Sequence, residues 1–424
     1  MPLGCTMVHY KFPCPVLSNG RGNSIRHLHL SRCAFHPTAG LGCLTRLFLL
    51  EVRITGDELG HLLSNSLAME ELCLNSCDTI IRLKISCLLN RFSCLSVFHC
   101  KSLEVIENRA PNLCFVRIDG AVEKLPIGDL LQMKRLHMLD YYEYDIVHDA
   151  RSKLPFIMPN LETLNLSSAG EVYSQTLVFP LLFLQGWLAV DLIVRDRCCF
   201  IYITAVVPLN MFNLFKGRKY VTNIYMQMFN TPILAVKFLF LKNLKIDLND
   251  GQMGGFSPSY DYFSLAYFLD ACPVLEKFVL GVSQTRVKHE LISDGDLNMR
   301  QMPGHLHCSV KNVRIMGFCS AKSMVELTYH ILENATSLER LTLDTIYDNS
   351  SYGDAERSCV GKIGECNPKS RSMIMHAHKG LGVIDKYIVD KVPSTVQLSV
   401  KKLCSRCHKI KSKGFRYEYR TTTP

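Results

Sequence analysis

A triplet of apolar residues with the spacing L-x-x-L-x-L recurs along this chain and limits what it can fold into. From the first triplet at Ile25 to the seventh at Leu161, successive starts lie 19 to 25 residues apart. Each triplet fits a short strand whose alternate side chains enter a core, and a unit of this size cannot bury its apolar face without copies beside it. The eleven triplets begin at Ile25, Leu44, Met69, Phe92, Leu113, Leu136, Leu161, Leu241, Leu275, Val310 and Leu338.

The unit from Val310 to Leu343 shows what lies between two triplets. Met324, Leu327 and Ile331 recur at three- and four-residue steps, which places them on one face of a helix. Ser323 and Glu326, on either side of Met324, have the spacing of a capping box and predict the start of that helix. The sequence therefore predicts an α/β fold, a leucine-rich-repeat solenoid (horseshoe) with one strand per repeat.

The cysteines agree with this interpretation. The chain has 19 of them, and Cys33, Cys77 and Cys100 fall eight residues after a triplet start, where the repeat takes a small side chain beneath a turn. No basic segment followed by an apolar run occurs at the N-terminus, so we expect no signal peptide. We therefore predict reduced, structural thiols and a cytoplasmic and/or nuclear location.

An irregular hydrophobic stretch interrupts the repeats, because 80 residues separate the triplet starts at Leu161 and Leu241. Two apolar runs within residues 176–215 have nearly the length of membrane spans, but Pro180 and Asp191 interrupt the first run. Removing residues 172–227 would instead leave an ordinary 24-residue step. We interpret 172–227 as an insertion and hypothesise that it is a translated intron. Valine codons begin with GT, as introns do, and glutamine can be encoded by CAG, with which introns end. Membrane association through 176–215 is the alternative, and we do not favour a membrane partner.

The chain therefore divides into successive segments. Apolar residues at helical spacing from Met373 to Ile388, then alternation from Val396 to Val400, predict a helix and a strand that cap the open end of the solenoid. The segments are 1–24, an N-terminal tail; 25–171, leucine-rich repeats; 172–227, the insertion; 228–346, further repeats; 347–400, a loop and C-terminal cap; and 401–424, a basic tail.

Two strings carry a family resemblance: SVKNVRIMGFCSAKSMVELTYHILENATSLERLTLD and KYIVDKVPSTVQLSVKKLCSRC. They resemble the C-terminal region of plant F-box/leucine-rich-repeat proteins with an FBD-type C-terminus. The resemblance implies repeats that hold a substrate and an N-terminal F-box that docks to a Skp1-type adaptor of a ubiquitin ligase. Because the repeats here begin by Ile25, we expect this chain to lack the F-box, so that adaptor binding would need an F-box supplied by a fuller gene.

Sequence motifs that mark catalytic or metal-binding sites are mostly absent from this chain. It contains no G-x-x-x-x-G-K-[ST], G-x-S-x-G or H-E-x-x-H, so we expect no enzyme, no cofactor and no small-molecule substrate. Cys404, Cys407 and His408 have C-x-x-C-H spacing, and a zinc half-site completed by Cys359, Cys366, His376 or His378 is one interpretation. Since a second closely spaced pair is missing, we predict two thiols of a tail and no metal site.

The remaining function is recognition of another protein, whose identity the sequence does not give. Cations at solvent-facing positions inside the triplets would line the concave face and favour an acidic partner surface. Eight Lys or Arg between residues 401 and 420 could bind nucleic acid, but a solvated tail is the interpretation we prefer. The concave-face candidates are Arg26, Arg46, Lys242, Arg314 and Arg340.

Overall fold

The structure, a computed structural model, divides the chain into two compact units. One unit comprises Met1–Glu171 with Lys237–Pro424, and the other comprises Val172–Val236. The structure describes residues 10–18, 24–120, 125–128, 130–140, 146–168, 176–179, 190–195, 198–203, 237–248, 260–283, 292, 299–302, 306–347 and 371–404.

Twelve strands of the first unit form one sheet, and each strand pairs in parallel with the next strand of the series. Parallel neighbours need a crossover, so the chain returns behind the sheet after each strand. The strands are β1 His27–Ser31, β2 Arg46–Leu50, β3 Glu71–Asn75, β4 Cys94–Phe98, β5 Phe115–Asp119, β6 Arg135–Asp140, β7 Thr163–Ser168, β8 Asn243–Leu248, β9 Lys277–Val282, β10 Asn312–Met316, β11 Arg340–Asp344 and β12 Gln397–Lys401.

Side chains alternate across this sheet. In β2, Leu47 and Leu49 are buried, whereas Arg46 is exposed and Phe48 is half-buried. Successive side chains of a strand point to opposite faces, so the apolar residues of the triplets enter the core and the residues between them form an outer face. The predicted α/β repeat architecture with one strand per repeat is confirmed by this sheet.

The returning segments form the other layer. Three of them contribute a smaller parallel sheet of Arg82–Ile85, Val105–Asn108 and Ile127–Gly128. Others contribute helices whose apolar sides are buried, as in α1, where Leu59, Leu62 and Leu63 are buried. The helices are α1 Gly56–Ser64, α2 Ile146–Ile157, α3 Ala266–Asp270, α4 Lys322–Asn334 and α5 Arg371–Val383, and a 3₁₀ turn Tyr262–Leu265 precedes α3.

Part of the predicted N-terminal tail packs on the first repeat. Tyr10–Lys11 pairs in parallel with Cys33–Ala34, and a helical turn, Pro15–Ser18, follows. The ring of Phe12 meets that of Phe35 edge to face, with centroids 5.6 Å apart. A four-residue turn is too short to show a helical period, so the sequence does not predict it.

One triplet was predicted in the wrong register. The L-x-x-L-x-L triplet that begins at Leu136 places Leu139 and Tyr141 in the core, but Leu136 pairs with Leu164 of β7 and Met138 pairs with the next buried leucine of that strand. Met138 is fully buried, whereas Leu139 lies on the outer face. Methionine fills the core positions of this repeat, so the search for leucine shifted the register.

The capping box predicted for α4 is also wrong. This helix begins at Lys322, and its N-cap residue, Ala321, makes no side-chain capping bond. The Ser323 hydroxyl accepts a hydrogen bond from the backbone N–H of Tyr262 at 3.3 Å. The Glu326 carboxylate is buried against Arg300, so the motif serves tertiary contacts. A capping box occurs instead at α1, between Thr55 and Glu58.

The C-terminal helix and strand lie where they were predicted. Helix α5 continues through a π-helical turn, Ile384–Ile388, and the last strand, β12, pairs with β11 at the edge of the sheet. Gly380 lets the helix approach the core, because a Cβ atom there would lie 2.5 Å from the carbonyl oxygen of Phe318. Most of the loop predicted after residue 347 lies outside the described residues. The part of the predicted basic tail that follows residue 404 also lies outside them.

The second unit contains three short strands of an antiparallel sheet. Thr176–Phe179 pairs with Val190–Arg195, which pairs with Cys198–Ile203. The rest of the predicted segment 176–215 lies outside the described residues. Within the described part of the chain, no helix has the length and apolar character that crossing a bilayer requires.

The main sheet continues across the insertion without a gap. Strand β7 precedes the second unit and β8 follows it, yet the two pair directly over six residues, from Thr163 opposite Asn243 to Ser168 opposite Leu248. Their buried residues are in the register that the triplet starts at Leu161 and Leu241 imply. The origin of residues 172–227 from an intron stays a hypothesis about the gene.

Candidate binding face

The outer face of the main sheet presents side chains in straight rows, because the strands pair in register. We call the row that crosses the middle of each strand the central row. Neighbouring strands lie roughly 4.8 Å apart, so adjacent side chains in this row can act on one ligand. Its members from β1 to β12 are His29, Phe48, Cys73, Ser96, Arg117, His137, Asn165, Lys245, Val279, Arg314, Thr342 and Ser399.

Basic side chains concentrate in the middle of this row. Arg117 of β5 lies opposite His137 of β6, and Asn165 of β7 separates the histidine from Lys245 of β8. The four side chains thus occupy four neighbouring strands. Three of them, the arginine, the histidine and the lysine, are basic. Each is half-buried, so each is held by its neighbours while part of it faces solvent.

An aromatic ring adjoins these groups. The guanidinium of Arg117 and that of Arg135 each lie 4.5 Å from the ring centroid of Phe115. Such cation–π contacts contribute about 0.5–1 kcal/mol each at exposed sites, and they fix the orientation of the guanidinium groups. We call Phe115, Arg117, Arg135, His137 and Lys245 the basic cluster.

The charges of the cluster act on its histidine. Burial, followed by the positive charges of Arg117 and Lys245, lowers the pKa of His137 to about 4. The imidazole is therefore neutral at physiological pH, and it would gain a proton readily only if a negative ligand offset the two cations.

Part of the positive charge is already neutralised. The Lys245 ammonium lies 2.6 Å from a carboxylate oxygen of Asp247, and burial raises the pKa of that carboxyl group in spite of the lysine. Among the described residues, neither Arg117 nor Arg135 forms an ion pair, in contrast to Arg46, which lies 3.7 Å from Glu71. The two arginines therefore carry most of the charge available to a ligand.

The structure distributes the five predicted face residues over different positions. Arg46 and Arg340 are exposed at the first outward position of β2 and β11, and Arg314 lies in the central row on β10. Arg26 and Lys242 are exposed but precede their strands, so they belong to the edge of the sheet. Arg314 and Arg340 lie on neighbouring strands, and Arg46 also adjoins Arg26, because its backbone N–H donates to the Arg26 carbonyl oxygen at 3.0 Å.

The basic cluster was missed for a definable reason. Arg135 and His137 flank Leu136, so recognising them requires the correct register of β6, from which the predicted triplet is displaced. Arg117 lies between two apolar members of its triplet, Val116 and Ile118, and could have been found from that spacing. What the sequence did not contain is the adjacency of β7 and β8, which brings Lys245 near the others.

The buried thiols behave as structural groups. Cys33, Cys77 and Cys100 are buried; Cys77 and Cys100 follow their strands as predicted, whereas Cys33 belongs to the short strand Cys33–Ala34, and the described cysteines are free thiols. Burial raises the pKa of Cys33, and burial with the nearby Glu71 carboxylate raises the pKa of Cys73 to about 11. Both groups are thus protonated at neutral pH and poor nucleophiles.

The eleven triplets and the parallel sheet together define the class of this molecule. It is a leucine-rich-repeat protein. The chain belongs to the family described as "At1g61320/AtMIF1, LRR domain", which matches residues 2–214 and 181–405. This supports a plant leucine-rich-repeat protein, and the repeat domain supports a role in protein–protein interaction. A comparison with curated proteins finds no match.

Proposed function

We propose that this chain is a non-catalytic interaction module that binds an acidic segment of another protein through the basic cluster. The observation that carries the proposal is that the guanidinium groups of Arg117 and Arg135 both lie 4.5 Å from the ring centroid of Phe115, with His137 next to Arg117 in the central row and Lys245 two strands further on. The proposed location is the cytoplasm and/or the nucleus, and we propose no enzymatic activity.

Charge and geometry support an acidic protein segment as the ligand. Guanidinium groups bind carboxylates with paired hydrogen bonds, and their planar shape lets them remain stacked on Phe115 while they do so. The ring adds an apolar surface next to the charges, which suits a segment that mixes acidic and apolar side chains. The row gives such a segment several equally spaced contacts, because adjacent strands lie roughly 4.8 Å apart.

The first experiment measures the binding of a fluorescently labelled, glutamate-rich peptide by anisotropy. Reversing both charges, with Arg117→Glu and Arg135→Glu, should weaken binding by about tenfold or more, since two attractions become repulsions. Lys84→Glu with Arg109→Glu is the matched control, because these exposed cations belong to the smaller sheet and its following turn. Equal weakening in both double variants would show attraction to net charge alone and would contradict the proposal.

The pH dependence of the same binding provides a second readout. A bound carboxylate would raise the low pKa of His137, so binding takes up a proton and should strengthen as the pH falls from 7.5 to about 5.5. His137→Gln should bind at pH 7.5 like the unaltered chain and lose that strengthening. Retention of the full pH dependence in this variant would place the ligand elsewhere.

The sequence-predicted residues extend the proposal to β10 and β11. Arg314→Glu with Arg340→Glu should weaken capture of a long acidic partner with little effect on thermal stability. Unaltered capture would confine binding to the basic cluster and remove these two arginines from the site.

The resemblance to F-box proteins supports a finer role, in which the bound partner is a substrate of a ubiquitin ligase. That role needs an F-box, because the coupling to a Skp1-type adaptor depends on it. Pull-down with a purified Skp1-type adaptor tests it. Capture of the adaptor by the longest chain the gene encodes supports the role of substrate receptor, and its failure leaves an adaptor-independent interaction module.

A further inference from the structure

Three potential metal-ligand atoms converge where α3, α4 and the segment before β10 meet. Asp270 ends helix α3, His307 precedes β10, and His330 lies in helix α4. Nε2 of His307 lies 3.1 Å from Nε2 of His330 and 3.6 Å from a carboxylate oxygen of Asp270. All three ligand atoms lie within 4.8 Å of one another, although the residues come from three separate elements.

These distances suit a tetrahedral metal ion. Two ligand atoms that are each 2.0–2.1 Å from one zinc ion at a tetrahedral angle lie roughly 3.3 Å apart. The two measured separations from the His307 nitrogen, 3.1 Å and 3.6 Å, lie on either side of that value. Two neutral imidazoles with one carboxylate are also a ligand set that zinc uses in proteins.

The chemistry of the three groups favours a shared cation. Imidazole nitrogens and carboxylate oxygens all present lone pairs, and a single proton between the two Nε2 atoms forms one hydrogen bond only. A divalent ion would interact with all three ligand atoms at once. His307 and His330 are 5% and 4% exposed, and electrostatic attraction is stronger in such a site than in water.

We propose that Asp270, His307 and His330 form a binding site for a divalent transition-metal ion, with zinc as the first choice. Zinc takes three protein ligands and an open fourth position in many sites, and the Asp270 side chain, 17% exposed, offers the ion a path from solvent. The bound ion would cross-link α3, the segment before β10 and α4.

The side chain of Asn334 lies beside one ligand and would change its hydrogen bonds when metal binds. The Asn334 side-chain amide donates to the His330 carbonyl oxygen at 2.8 Å and lies 3.3 Å from Nδ1 of the same ring. Metal bound at Nε2 requires the proton on Nδ1, so the Asn334 amide would rotate to present its oxygen to that proton and would give up its bond to the His330 carbonyl oxygen. Such outer contacts orient metal-binding histidines.

Metal binding is tested on the tag-free chain carrying Cys404→Ser and Cys407→Ser, because the C-x-x-C-H segment could bind metal itself. Zn²⁺ should raise the midpoint of thermal unfolding, and EDTA should reverse the rise. Co²⁺ should bind with one ion per chain and give the visible absorption of a tetrahedral site without the ultraviolet band of cobalt–thiolate coordination.

Variants assign the site to its residues. His307→Gln should lower the Zn²⁺ affinity by more than the roughly 10- to 100-fold that loss of an outer contact costs. His148→Gln is the matched control, because His148 lies 4.0 Å from the Asp149 carboxylate on the surface, and it should change the affinity less than about twofold.

Two outcomes would overturn the proposal. One is the absence of both Zn²⁺ stabilisation and a Co²⁺ spectrum in the chain with all three ligands, which would mean that the two histidines form a hydrogen-bonded pair only. The other is undiminished binding in folded His307→Gln, judged by its circular dichroism. If that variant does not fold, the stoichiometry of Co²⁺ and its displacement by Zn²⁺ in the parent chain decide between the metal site and the hydrogen-bonded pair.

Discussion

The ion pair between Arg300 and Glu326 gives the sharpest prediction for stability. The Glu326 side chain is fully buried and accepts hydrogen bonds from Nε and Nη2 of Arg300, at 2.8 and 2.6 Å, and from its backbone N–H at 3.0 Å. Arg300→Ala leaves the buried carboxylate without a cation, a change that typically costs about 3–5 kcal/mol. We expect about 3 kcal/mol, because the backbone N–H remains and the arginine side chain is 51% exposed.

A double-mutant cycle measures this value. Urea unfolding followed by circular dichroism is compared for Arg300→Ala, Glu326→Gln and the double variant. Glu326→Gln should cost about 1 kcal/mol, since a neutral amide tolerates burial and Arg300 keeps Asp261 as a partner at 2.6 Å. The double variant should be no less stable than Arg300→Ala. A loss below about 1 kcal/mol for Arg300→Ala, or simple addition of the two single effects, would refute the reasoning.

Four further predictions concern local features. Gly380→Ala should destabilise the chain by about 1–3 kcal/mol through a clash with backbone, whereas Gly382→Ala, with open space at its Cβ, should be neutral or stabilise the helix by up to about 1 kcal/mol in urea unfolding. Thr55→Ala should cost about 1 kcal/mol in the same assay, because the capping box of α1 is lost. His137 takes up its proton near pH 4 when folded but near 6.5 when unfolded, so stability should fall across that window as the pH decreases, and less so in His137→Gln. Deleting 172–227 should preserve the circular dichroism of the sheet, and loss of cooperative unfolding would contradict the pairing of β7 with β8.

The repeat pattern predicted the sheet because burial on one face imposes a period of two on every strand. Leu47 and Leu49 show this directly, since both are buried and the residues beside them face outward. The prediction failed at β6, where Met138 fills a core position that the pattern assigns to leucine. An unbranched methionine packs there as well as leucine does, so the spacing was ambiguous.

The two sites depend on contacts that sequence spacing does not contain. His307 and His330 are 23 residues apart and approach Asp270 only when α3 and α4 pack together. The local motif at Ser323 and Glu326 misled for the same reason, because tertiary partners took both side chains. Local patterns therefore predicted the strands and several helices, whereas the functional groups required the assembled fold.

Site-specific photo-crosslinking from the centre of the basic cluster tests the proposed function most directly. A photoreactive amino acid replaces Asn165, which lies between His137 and Lys245, and in a second chain it replaces Lys84 of the smaller sheet. The proposal predicts that the glutamate-rich peptide crosslinks from position 165 and not from position 84. Equal crosslinking from both positions, or crosslinking from position 84 alone, would contradict recognition by the outer face of the main sheet.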